Sequence, residues 1–185
     1  MNNPQLTEDS VGRIFTLKTP DGPFTVITRA SEPVVLASGW TDEPAELTPQ
    51  IHSSLRPAEL RQSSAESNIK AAVDAFYAGE LNAIDGIEVA QKSGPFRTHA
   101  WEVLRRVPAG QPVTYSEYAE RAGNPRAIRA AASACAMNAA ALFVPCHRIV
   151  RLDGGLGGFR WGLQIKESLL RREAENAGMS PERII

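Results

Sequence analysis

The chain has 185 residues, 43% hydrophobic and 22% charged, enough for one moderate domain or two small ones with a packed core. No apolar run nears the roughly 20 residues of a membrane helix, and Met1-Asn2-Asn3-Pro4-Gln5 lacks the basic and apolar regions of a secretory signal, which points to the cytoplasm. The net charge of −1 hides an asymmetry: residues 1–94 carry 7 Lys/Arg against 13 Asp/Glu and residues 95–185 carry 13 against 8, giving −6 and +5. Twelve of the second half's cations are Arg, which suits phosphate and base contacts, although chance asymmetry gives the same numbers. Two cysteines and three scattered histidines build neither a disulfide framework nor a zinc site, so no metal and no cofactor is expected.

In chain order, residues 12–39 read as antiparallel strands. Ile14 to Thr19 partly alternates, Pro20-Asp21-Gly22-Pro23 is a turn, and Phe24 to Thr28 and Val34 to Leu36 are β-branched-rich. Residues 40–66 are polar and rich in Pro, Ser and Glu, a loop with room for one short helix. Asn68 to Ala78 places Ile69, Ala72, Val73 and Phe76 at helical spacing before Gly79. Ser93-Gly94-Pro95 marks a boundary, so residues 1–94 form one domain and 95–185 another.

The second half is mainly helical. Phe96, Ala100, Val103, Leu104 and Val107 share a face, and Pro108-Ala109-Gly110 ends that helix. Ser116 is read as the cap of a short helix to Ala122, Gly123-Asn124-Pro125 as a turn, and Arg126 to Met137 as the next helix. Helix, Gly-containing turn and helix resemble a helix-turn-helix, a pattern that many helical hairpins share. A Gly-rich loop, Asp153 to Gly158, precedes a last helix from Leu163 to Ala177.

Cys146 lies beside His147 between two apolar runs. A free thiol is only about 3% ionised at pH 7, so a nucleophile here needs a base. On an extended backbone adjacent side chains point apart, and contact requires a turn or a bridging water. Alone, the pair fits a structural thiol beside a satisfied His better than a reactive one. Glu173 shifts that balance. It lies four after Leu169 and eight after Ile165, on the apolar face of its helix, where a carboxylate needs a partner. His147 would complete a nucleophile, base and orienter set, and Arg148 is the plainer alternative. In the helix from Arg126, the face of Ile128, Ala132 and Cys135 is assigned to the core. The face of Ala127, Ala130, Ala131 and Ala134 is bare, which suits close approach to a backbone or minor groove with Arg129 as its long cation.

Pro145-Cys146-His147-Arg148-Ile149-Val150 resembles the active-site motif of the O6-alkylguanine-DNA alkyltransferases. Phe96-x4-Trp101-x2-Leu104-x2-Val107-Pro108, Thr114-Tyr115-Ser116, Gly123 to Ala130, Asn138, Gly158-Phe159-Arg160-Trp161-Gly162 and Lys166 to Glu173 extend the likeness over about residues 68–177. The pattern is that of the bacterial Ada/Ogt branch. The resemblance implies an α+β fold: a small N-terminal antiparallel-sheet, RNase H-like domain, then a mainly helical domain with a winged helix-turn-helix. It implies a single-turnover DNA repair methyltransferase in which Cys146 accepts the alkyl group of O6-alkylguanine, and of O4-alkylthymine, in duplex DNA. His147 would be the base acting through water, Glu173 its orienter and Asn138 the brace of the turn. Arg129 would fill the place of the flipped nucleotide, with Tyr115, Arg126, Ala130, Ala131 and Ser116 also on DNA. Tyr115, Ile149, Phe159, Arg160 and Pro145 would line the pocket. A monomer that can bind DNA cooperatively is implied, with no membrane partner.

The sequence departs from the family at Ala139, where Pro is frequent and whose absence would loosen the turn, at Phe159, where Tyr is frequent, and in lacking the N-terminal zinc ligands of some members. Three rivals remain. A non-catalytic lesion binder of the same family would lack the acceptor thiol. A cysteine hydrolase would space Cys and His apart. A transcription regulator would carry base-reading side chains on its second helix.

Overall fold

The computed structural model describes residues 10–64 and 67–178, so the reading of Met1–Gln5 as no export signal lies outside the described residues. Strands β1 (Val11–Thr19) and β2 (Gly22–Arg29) pair antiparallel about the Pro20-Asp21 turn, with Thr19 opposite Gly22. β3 (Val35–Gly39) adds antiparallel to β2 through a register shift at Ile27/Thr28. The sheet is not purely antiparallel as expected. β4 (Glu59–Gln62), in the stretch read as loop, lies parallel to β1 and makes the order β3-β2-β1-β4. It is four residues long and half-exposed, too short for the alternation that marks a strand in sequence.

Both sheet faces are covered. Phe15, Leu17, Phe24, Val26 and Val35 pack toward helix α1 (Ser67–Tyr77), whose Ile69, Val73 and Phe76 are fully buried. Ile14, Ile27, Leu36 and Ala37 pack instead on Leu47 and Ile51, carried by two single 3-10 turns at Pro44–Glu46 and Thr48–Gln50. Two apolar side chains thus let an otherwise polar stretch cover a sheet face. No helix among the described residues is long and apolar enough to cross a membrane.

Helix α2 (Pro95–Arg105) starts with Pro at its first turn, where no amide proton is missed, and buries Ala100, Trp101, Val103 and Leu104. α3 (Tyr115–Arg121) and α4 (Ile128–Ala136) follow. The cap of α3 is Thr114, whose hydroxyl accepts from the Glu117 amide at 3.1 Å, and not Ser116, which is exposed. A short parallel pair, β5 (Val113–Thr114) and β6 (Ile149–Val150), ties the start of α3 to the Cys146 segment, and α5 (Leu163–Asn176) closes the chain. One buried cluster runs from Phe15 to Leu169, so the core is continuous across the expected boundary at residue 94. Chain order gives a mixed α+β fold with its main sheet early and its helices mostly later.

The halves meet at the end of β3. Ser38 donates its amide to the Ala139 carbonyl at 2.8 Å and its hydroxyl to the Ala141 carbonyl at 2.7 Å. Gly39 follows, and a Cβ there would stand 2.1 Å from Cζ2 of Trp161. Only glycine admits the indole at this distance. Gly39→Ala is expected to displace Trp161 at a cost of about 1–3 kcal/mol, read as a fall of roughly 3–10 °C in melting temperature. An unchanged melting temperature would show that the ring adapts freely.

Candidate active site

Residues 138–149 fold back on themselves before Cys146. The Asn138 amide donates to the Val144 carbonyl at 2.8 Å, while its oxygen accepts from the Ala140 amide at 3.1 Å and from Gln91 at 3.0 Å. Ala139 gives this turn a tie of its own. Its N–H, which a proline would lack, donates to Gln91 Oε1 at 2.9 Å. Gln91 is a brace that no spacing argument exposed. Leu142, fully buried, sits at φ 75°, a left-handed conformation that costs a branched residue about 1–3 kcal/mol and is held by its surroundings.

Pro145 then leads into a single 3-10 turn, Cys146–Arg148, so Cys146 and His147 are not on extended backbone. His147 and Glu173 are fully buried, and Cys146 and Arg148 are nearly so. His147 Nε2 bonds Glu173 Oε1 at 2.6 Å, and Arg148 donates to the same carboxylate from Nε and Nη2 at 3.0–3.1 Å. Both partners weighed for Glu173 are therefore taken at once. Arg148 also donates to the Val107 carbonyl at 2.8 Å.

The charges balance around this carboxylate. Burial alone would raise the Glu173 carboxyl, but His147 and Arg148 bring it down to about 2. Burial likewise pushes the His147 imidazole below its usual value of 6.5, against the pull of Glu173. With Arg148 neutralising the carboxylate, His147 stays uncharged near neutrality. An ionised Glu173 requires the proton on Nε2, which leaves Nδ1 with a free lone pair. Nδ1 is buried and makes no hydrogen bond. Burial pushes the Cys146 thiol up, opposed by the Asn138 amide and by Lys166. The resting residue is a thiol beside a neutral base.

A cavity of about 450 Å³ opens on Cys146, lined by Tyr115, Ala132, Cys135, Ala136, Asn138, Phe159, Arg160 and Trp161 among others. Of the expected lining residues, Tyr115, Phe159 and Arg160 are present. Pro145 and Ile149 are buried beneath the wall and do not line it. Arg160 reaches across to the Ala136 carbonyl at 3.0 Å. Lys166 is fully buried and holds the Ile149 carbonyl at 2.7 Å and the Gly158 carbonyl at 3.3 Å, tying the Cys146 turn to the glycine loop. Burial first, then Cys135 and Cys146, pushes the Tyr115 hydroxyl up to about 12, so it keeps its proton.

The faces of α4 differ in part from those expected. Ala131 and Ala134 are fully buried, Ile128 is 42% exposed, and Cys135 is half-buried in the cavity wall. Ala131 is therefore a packing residue and is withdrawn from the DNA-facing set. The smallest side chains go inward because α4 packs closely on α2 and α3, where the Trp101 indole donates to the Ala134 carbonyl at 2.9 Å. Ser116 on α3, Arg126 in the turn, and Arg129 and Ala130 on α4 remain exposed.

A buried carboxylate bonded to an imidazole, and next to that imidazole in the same turn a thiol opening on a cavity beside exposed helices, define a cysteine-centred protein. Residues 95–175 match the family model described as 6-O-methylguanine DNA methyltransferase, DNA binding domain. The methylated-DNA–protein-cysteine methyltransferase of Shigella flexneri is 33% identical over 160 residues, covering 85% of this chain and 92% of that one. The bifunctional transcriptional activator/DNA repair enzyme Ada of Escherichia coli is 53% identical over 81 residues, 44% of this chain but 23% of Ada. The Methanosarcina acetivorans methyltransferase is matched over 64% of its length. The chain thus spans less than two thirds of several relatives it matches. The Mycobacterium tuberculosis OGT structure in complex with DNA superposes with a TM-score of 0.73 at 26% identity, covering 92% of this chain and 96% of that one. The chain belongs to the O6-alkylguanine-DNA alkyltransferases, the methylated-DNA–protein-cysteine methyltransferase family.

Proposed function

We propose that this protein repairs duplex DNA by moving the alkyl group of O6-alkylguanine onto Sγ of Cys146. The observation that carries the reading is His147, bonded to Glu173 through Nε2 with Nδ1 unbonded, next in the chain to a thiol that opens on a cavity able to hold a base. The thiol proton passes to Nδ1 through a water, sulfur attacks the alkyl carbon, and the carbon–oxygen bond breaks. The electron pair returns to guanine, where the Tyr115 hydroxyl donates to N3 and meets the developing charge. The product thioether has no leaving group that water can use, so each molecule reacts once.

The alkyl carbon lies inside the base stack, and flipping the nucleotide costs a few kcal/mol. In this reading Arg129 enters the stack from the minor groove and fills the gap. Arg126, Ala130 and Ser116 approach the backbone, and residues 151–158 form the wing of a winged helix-turn-helix. The protein acts as a monomer in the cytoplasm, takes O4-alkylthymine as well, and can bind DNA cooperatively. Mass spectrometry after incubation with O6-methylguanine duplex should show one methyl on the Cys146 peptide. DNA binding with no methyl gained would favour a lesion-binding role instead.

Arg129→Ala should slow transfer from duplex DNA by about 10- to 100-fold, the effect of a few kcal/mol of uncompensated flipping. Transfer from single-stranded DNA should change little, and equal losses on both substrates would refute the role. The pH profile follows from His147. Because its folded value lies below 6.5, the base stays neutral as pH falls through 6.5, and single-turnover rates should hold there and drop only at lower pH. A midpoint at or above 6.5 would contradict the neutral base.

A further inference from the structure

The cavity wall formed by Phe159 and Trp161 is backed by the N-terminal half. The ring of Phe159, which lines the cavity, lies 5.9 Å from that of Trp40 at 53°. Trp40 is nearly buried and directly follows Gly39, on which Trp161 rests. The orientation of Trp40 is fixed from behind: its Nε1 donates to the Tyr77 hydroxyl at 3.0 Å, and that hydroxyl donates to Asp21 Oδ2 at 2.8 Å. Tyr77 is held in turn by α5, whose Arg172 guanidinium lies 4.9 Å over its ring and bonds its carbonyl at 3.3 Å. A single chain of contacts therefore runs from the β1–β2 turn through α1 and the end of β3 to the cavity.

We propose that Trp40, locked by Tyr77 and Asp21, is a specificity-determining positioning residue that sets the angle of Phe159 and with it the width of the alkyl and base cavity. Aromatic pairs prefer a narrow range of tilts, so a fixed indole imposes an angle on the ring it touches. The hydrogen bond to Tyr77 matters because ring contacts with Phe24 at 5.0 Å and with Phe159 do not by themselves fix the rotation of the indole, whereas a bond at Nε1 does. A fixed Phe159 offers a flat face to a purine and a bounded space to the group beyond it. A loosened Phe159 stacks less well and bounds that space less tightly. Small adducts then lose more than bulky ones. The inference rests on the alkyl-transfer reading above.

The experiment compares wild type, Tyr77→Phe and Trp40→Phe on duplexes carrying O6-methylguanine or O6-benzylguanine, measuring saturating transfer rate, duplex affinity and melting temperature. Tyr77→Phe keeps the ring and removes only the hydroxyl that joins Trp40 to Asp21. The benzyl-to-methyl rate ratio should rise by roughly fivefold in both variants, as expected for loss of one contact coupling, with duplex affinity unchanged. In a Phe159→Ala background the same substitutions should leave the ratio where Phe159→Ala alone puts it. A ratio unchanged or lowered, or a shift that persists without Phe159, overturns the role of Trp40. Wild type that transfers neither group overturns the alkyl-transfer reading itself, and the assignment of Trp40 falls with it.

Discussion

Cys146→Ala should transfer no detectable methyl while binding O6-methylguanine duplex within about twofold of wild type, a difference near 0.4 kcal/mol. The thiol is nearly buried at the back of the cavity, whereas the exposed Ser116 and Arg129 lie on α3 and α4 and the exposed Arg126 on the turn between them. Under the proposed function, binding and chemistry are carried by different groups. The one other thiol on the cavity wall, Cys135, lacks an adjacent base, and burial holds it protonated. It is a poor substitute. Methyl found on Cys135 in this variant would show that proximity suffices without a base. Loss of duplex binding would show that Cys146 is structural.

Glu173→Gln should be damaging in two separable ways. The amide keeps the shape and one acceptor oxygen but removes the charge that Arg148 balances, leaving a buried guanidinium with no counter-charge. Breaking such a pair costs about 3–5 kcal/mol, a fall on the order of 10 °C in melting temperature. The amide also no longer obliges the His147 proton to sit on Nε2, so the lone pair at Nδ1 is lost for part of the population. Transfer should slow by about 10²- to 10⁴-fold. The variant should differ in acid as well. A carboxyl lowered from 4.5 to about 2 contributes stability that is present above pH 4.5 and lost as pH falls through about 2. The variant should lack that loss. A parallel acid curve for both proteins would remove Glu173 as its source.

The helices and the first three strands were legible because each carries a face of contrasting polarity. Glu173 was legible for the same reason, as a charge on the apolar face of α5. The faces of α4 were not, since alanine occurs on every side and periodicity has no contrast to report. Ile128 therefore looked like core, while Ala131 and Ala134 held it. Lys166 was passed over as a cation in a helix rich in charge, yet it is fully buried between two carbonyls. Gln91, Ser38, Gly39 and Trp40 lie between 47 and 122 residues before the site positions they touch, Asn138, Ala141, Trp161 and Phe159. No local pattern records contacts over such distances.

The bond from Ser38 to the Ala141 carbonyl spans 103 residues of sequence. Closing a loop of that length is entropically costly and rewarded only once both ends are formed. The sheet emerges first from the ribosome and must wait for the segment that holds Cys146. The reacting centre is thus expected to assemble among the last events of folding. Until then the sulfur lacks its base and its walls, and a stray electrophile meets an ordinary cysteine. Reactivity arrives with the tertiary structure, which, under the proposed single transfer, protects the thiol from being spent before the protein is finished.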